Sequence, residues 1–143
     1  MLGSLIVSIF FLFSSVQSQQ ETTLRIVQIL FRHGIRSPNL LLTFPTDPPD
    51  LAKQFVYERG EMTEKGMQQV FTLGQNLRQY YGKFLKNRYR ASELRVLSGV
   101  DNRTIASALI ALAALFPPQQ DQIWNRDLLW IPIPVQTEPI IDE

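Results

Sequence analysis

The sequence predicts an α/β domain, on three observations: a near-continuous apolar run that reads as a buried parallel strand, a capped amphipathic helix after it, and a second short strand feeding a helix that is apolar almost all round. The first strand is Leu24–Phe31 (LRIVQILF), β-branched and apolar enough to be covered on both faces. It runs directly into Arg32-His33-Gly34-Ile35-Arg36-Ser37-Pro38, where Gly34 permits a sharp turn and Pro38 ends it. In open α/β sheets ligands bind beyond the carboxyl ends of the strands, which is where this order of residues delivers His33 and its flanking arginines.

The elements that follow are read in chain order. Asn39–Asp50 (NLLLTFPTDPPD) is rich in Pro and Asp and reads as a surface loop. Thr63 is placed to cap a helix running to about Leu85, because Met67, Val70, Phe71, Leu77, Tyr81, Phe84 and Leu85 recur at three- and four-residue steps. Gly74 lies on that face and marks a close approach to a neighbouring element. The aromatic residues Phe71, Tyr80, Tyr81 and Phe84 have helical spacing and are assigned to core and rim, with no function. Glu93–Leu97 (ELRVL) reads as the second strand and 98–101 as a turn. Asn102–Phe116 (NRTIASALIALAALF) is then a buried helix, stopped by Pro117 and Pro118. The remainder carries Trp124, Trp130 and the extended segment Ile131–Val135, and ends without a closing element. Two strands are too few to build a covered parallel sheet, so the fold is expected to be incomplete or to borrow cover.

The 143 residues suffice for one domain with a modest core. A net charge of +1 with 19% charged residues, and basic residues spread along the chain, exclude a nucleic-acid binder. Met1–Ser18 has the layout of a secretory signal peptide, leaving 19–143 as the mature part. Its apolar core, Leu5–Phe13, is shorter than the ~20 residues of a spanning helix. Entry into the secretory pathway, toward secretion or the lysosome, would permit disulfides, yet the chain has no cysteine. Packing alone must hold it together.

The chemistry gathers on the only histidine of the sequence. Arginine binds phosphate oxygens bidentately and stays protonated, and phosphoryl transfer needs mainly charge stabilisation on the transferred group. A neutral imidazole between Arg32 and Arg36 can attack phosphorus and form a phosphohistidine. Arg103, in the first turn of the second helix, opposes the helix dipole there, which an anionic ligand would offset. A lone histidine is more often structural, and arginines near a turn more often pair with carboxylates. What favours chemistry is the joint pattern. A metal site is not expected, since no second histidine, cysteine or carboxylate stands at ligand spacing from His33.

Arg32-His33-Gly34-x-Arg36-x-Pro38 resembles the signature of the histidine acid phosphatases, and the prostatic and lysosomal acid phosphatase type within them. The likeness continues through 60–85 and through 98–118, with Arg103-Thr104, Ser107-Ala108 and Leu115-Phe116-Pro117-Pro118 in matching order, and spans about Leu24 to Pro134. The resemblance implies the three-layer, phosphoglycerate mutase-like α/β fold, here only its N-terminal portion. It implies hydrolysis of phosphate monoesters at acid pH with no metal or other cofactor, His33 as nucleophile, and Arg32, Arg36 and Arg103 as phosphate ligands.

Departures from the family pattern are specific. The distal His-Asp pair that supplies the general acid has no counterpart, Ser98-Gly99-Val100 stands where relatives carry Ser-Thr-Asp, and Gln136 replaces a frequent histidine. Three readings follow: the first part of a longer acid phosphatase, a short phosphate-binding form without turnover, or an inactive product. Substrate, oligomeric state and any C-terminal anchor are not legible. Asn102-Arg103-Thr104 is an N-glycosylation sequon expected to stay unused, because it adjoins a phosphate-binding arginine at the start of a buried helix.

Overall fold

The computed structural model describes residues 23–142; the predicted signal peptide lies outside the described residues. Two helices and one short parallel ladder organise them. Helix α1 spans Glu64–Tyr81 and helix α2 spans Asn102–Leu115, with β1 (Leu97–Ser98) and β2 (Gln136–Thr137) paired parallel and short 3₁₀ turns at Leu51–Gln54, Gln120–Gln122 and Pro139–Asp142.

Helix α1 begins where the sequence places it. Thr63 has extended backbone angles and its hydroxyl oxygen accepts a hydrogen bond from Gly66 N at 3.1 Å, satisfying one of the free amides of the first turn. The helix stops at Tyr81, four residues before the predicted end, and closes through turn bonds from Phe84 N and Leu85 N to Tyr81 O. Its inward stripe also differs from the predicted one: Gly66, Val70 and Gly74 are buried with Leu77 partly so, whereas Met67 and Phe71 lie more than a third exposed. The glycines explain the shift. A Cβ at Gly74 would meet the carbonyl oxygen of Ala111 and come within 2.7 Å of Ala114 Cβ, so α2 rests directly on the α1 backbone there.

Helix α2 matches its predicted span and ends at Phe116, whose N–H donates to Leu112 O just ahead of Pro117. It is less enclosed than its composition suggests. Ser107, Ala108, Ala111, Leu112, Ala114 and Leu115 are buried, while Ile105, Leu109 and Ile110 are only half-buried. Two apolar clusters result. Met62, Val70 and Ala111 fill the space between the helices, and Leu112, Leu115, Phe116 and Ile133 join α2 to the extended segment before β2, with Leu77, Tyr89 and Val96 at the edge. Each large side chain in these clusters contributes about 1.5–3 kcal/mol by leaving water.

The predicted strands are the main correction. Leu24–Phe31 forms no ladder, and Ile26 and Leu30 are 72% and 95% exposed. A strand is stable only against a neighbour, and the one sheet among the described residues is β1 with β2. Of the second predicted strand only Leu97 is in the ladder, which extends instead into Ser98. Its bonds are Gln136 N to Val96 O at 3.0 Å and Glu138 N to Ser98 O at 2.8 Å. The partner is the tail segment, which sequence reasoning left unpaired.

Candidate active site

The Arg32–Pro38 loop is fastened to the start of α1 by backbone bonds. Thr63 N donates to Ile35 O and Ser37 N to Glu61 O, both at 2.9 Å, pairing Arg36 with Met62 across a single antiparallel bridge. Ile35 N donates to the Gln69 side chain at 3.1 Å, and the buried Ser37 hydroxyl donates to Glu58 O. Gly60 makes the turn that brings this strand-like stretch back, at φ +76°, where a side chain would also collide with Asn39 Oδ1. Main-chain bonds, together with the Ser37 and Gln69 side chains, therefore hold the loop.

His33 is half-buried, and its Nδ1 lies 2.8 Å from Gly34 O. A carbonyl only accepts, so Nδ1 carries the proton and the lone pair of the neutral ring sits on Nε2. His33 lines an open groove of about 780 Å³ together with residues 26–31, 91–95 and 97–99. Thr104, Ser107 and Ala108 of α2 also line it.

The arginines are less closely assembled than the sequence implies. Arg32 is exposed. Arg36 is half-buried and folds back so that its guanidinium donates to Ser37 O at 2.8 Å. Arg103 is half-buried, with 22% of its side chain exposed. It pairs with Asp101, and its Nε is buried without a hydrogen-bond partner. None of the three lines the groove that His33 lines. Arg36 and Arg103 are linked through the core: Met62, opposite Arg36, has its sulfur 3.0 Å from Ser107 Oγ, and that hydroxyl donates to Arg103 O at 2.7 Å.

Asp101 is the residue sequence reasoning missed. It is the N-cap of α2, though its side chain makes no cap bond, and it supplies the negative charge that the placement of Arg103 demands. A carboxylate two residues before an arginine at a helix start was the available signal. Asn102 is exposed and donates to Glu61 Oε1 at 3.2 Å, so the helix start is not buried at this position. Among the described residues no three His, Cys, Asp or Glu side chains group as a metal site, and no helix is long and apolar enough to cross a membrane.

The histidine phosphatase superfamily (branch 2) description matches residues 23–137. The chain belongs to this superfamily. Human prostatic acid phosphatase is 42% identical over 144 residues, covering 99% of this chain and 35% of that protein. Lysosomal acid phosphatase of Xenopus laevis is 40% identical over 140 residues, covering 96% of this chain and 31% of its own length. The chain thus spans about a third of the length of these relatives. Among solved structures, Hafnia alvei phytase in complex with myo-inositol hexakis sulphate superposes with a TM-score of 0.57 at 18% identity, over 74% of this chain and 24% of that one. At that identity the likeness concerns the fold alone. The histidine phosphatase fold is present here in part, with the helix pair formed and few of its strands.

Proposed function

We propose that this chain carries the nucleophilic and phosphate-binding part of an acid phosphatase, acting on phosphate monoesters through a phosphohistidine on His33. The observation that supports it most is the bond from His33 Nδ1 to Gly34 O, which fixes the tautomer and leaves Nε2 as the nucleophilic nitrogen. Nε2 would attack phosphorus in line with the ester oxygen. The P–O bond breaks, its electron pair leaves with the alcohol oxygen, and water then attacks the phosphohistidine to release phosphate. Arg32, Arg36 and Arg103 would neutralise the phosphoryl oxygens, which requires Arg36 to leave Ser37 O and Arg103 to share its guanidinium with Asp101.

This sequence has a single histidine and no His-Asp pair, the pair that the resemblance implies as the source of the general acid. Proton delivery by a positioned acid is worth ~10²–10⁴-fold, so esters of poorly acidic alcohols should turn over that much more slowly on this chain than esters whose leaving group departs unprotonated. The homology to acid phosphatases and the signal-peptide layout support a place in the secretory pathway.

The experiment is a single-turnover assay with an activated aryl phosphate labelled on phosphorus. Acid-labile label on the chain, lost in His33→Ala, supports the reading. A second reading, a phosphate binder without turnover, is favoured by that same missing acid; it predicts no label but a rise in Tm with inorganic phosphate that Arg103→Ala removes.

A further inference from the structure

We propose that Asn102 is an N-glycan acceptor, at the rim of the candidate site beside Glu61. Asn102-Arg103-Thr104 is the single Asn-x-Ser/Thr triplet in the 143 residues, and its middle residue is not proline. The expectation that it stays unused rests on two premises, burial of the helix start and the adjoining phosphate-binding Arg103, and the first does not hold. Asn102 occupies the first position of α2 with its side chain in solvent, while the next residue, Arg103, turns inward to Asp101. Successive side chains on a helix diverge by about 100°, so a group linked to Asn102 leaves the Arg103 contact intact.

The chemistry of the linkage fits the contact already made. Asn102 Nδ2 forms a bond to the anomeric carbon of an oligosaccharide carried on a lipid pyrophosphate. The bond from that carbon to the pyrophosphate oxygen breaks, the lipid pyrophosphate leaves with the electron pair, and Nδ2 gives up one proton. One N–H remains as a donor on Nδ2, the atom that now lies 3.2 Å from Glu61 Oε1. Nothing buried has to move to admit the sugar. Thr104, which completes the sequon, has its hydroxyl on Asp101 O at 2.7 Å in the folded chain, a bond a serine would also make.

This proposal rests on the secretory reading of Met1–Ser18, and the experiment separates the two. The full chain is translated in the presence of microsomes, next to a version in which residues 19–143 follow an independent cleavable leader. Protection from added protease reports entry into the lumen, and a mobility shift reversed by peptide N-glycosidase reports the glycan. The expected result is one glycan on protected chain, retained in Thr104→Ser and absent in Asn102→Gln and Thr104→Ala, with Asn102 recovered as aspartate after enzymatic release. Failure of the full chain alone to enter the lumen sinks the secretory reading while the second version still decides the site. Protected chain of either version that carries no glycan overturns the proposal. Transfer acts on the nascent polypeptide, so a variant that misfolds afterwards still gives an answer.

Discussion

Gly34 and Gly66 meet backbone to backbone. A Cβ on Gly34 would lie 2.6 Å from the Gly66 carbonyl carbon and 2.8 Å from its Cα, and one on Gly66 would lie 2.7 Å from Ile35 N and overlap the Ile35 carbonyl oxygen. The loop bearing His33 is therefore seated on the first turn of α1 through two residues that have no side chain. Gly34→Ala or Gly66→Ala should destabilise the chain by about 1–3 kcal/mol or more, because the obstructing atoms are main chain and cannot rotate away. Urea unfolding midpoints check this, and a midpoint unchanged in both variants contradicts the contact.

Thr63 serves the helix and the loop with one hydroxyl. Its oxygen accepts from Gly66 N, and it donates to Ile35 O at 3.1 Å. Thr63→Val keeps the shape and removes both bonds, with an expected loss of about 1 kcal/mol, and Thr63→Ser should recover most of it. A loss in Thr63→Ser with none in Thr63→Val would mean that the methyl group, rather than the hydroxyl, matters.

Core and segment positions should respond in opposite ways. Leu112 is 6% exposed in the cluster that joins α2 to Ile133, so Leu112→Ala is expected to cost about 2–5 kcal/mol. Leu30 is 95% exposed, and Leu30→Lys should change stability by no more than about 0.5 kcal/mol in this chain. A large loss from Leu30→Lys would show that the 24–31 segment is packed after all.

Arg88 and Asp121 tie the stretch after α1 to the 3₁₀ turn at Gln120–Gln122. Hydrogen bonding from Arg88, aided by its charge, holds the Asp121 carboxyl below the usual carboxylate range, and the same pair raises Arg88. A carboxyl lowered in the folded state contributes stability that is present above its unfolded pKa and is lost as the pH falls through the folded value. Both side chains are exposed to solvent, so the pair's contribution is small and sensitive to salt. Carbon-detected NMR titration should place the Asp121 midpoint lower in the intact chain than in Arg88→Gln. Identical midpoints would contradict the pairing.

The sequence made the helices legible because periodicity, a capping threonine and paired prolines are local signals that packing did not override. Val70, Leu77 and Leu112 are where that logic puts them. The stripe of α1 was misphased at Met67 and Phe71 because glycines carry no hydrophobic signal, although Gly66 and Gly74 are what let neighbours approach. The 24–31 strand failed for a different reason. Its composition states a preference that only a paired neighbour can realise, and β1 finds its neighbour 39 residues further along the chain in Gln136–Thr137. At the site, His33 and the loop are visible as a motif, whereas the Asp101–Arg103 pair leaves only its spacing in the sequence and forms through the way the helix start folds.

The measurement that bears most directly on the central claim is the position of the phosphoryl group after reaction with a labelled aryl phosphate, read by phosphorus–proton correlation NMR on the trapped chain. The hydrogen bond from Nδ1 to Gly34 O predicts phosphorylation of His33 at Nε2. Phosphate on Nδ1, on another residue, or on no residue of a folded chain would contradict it.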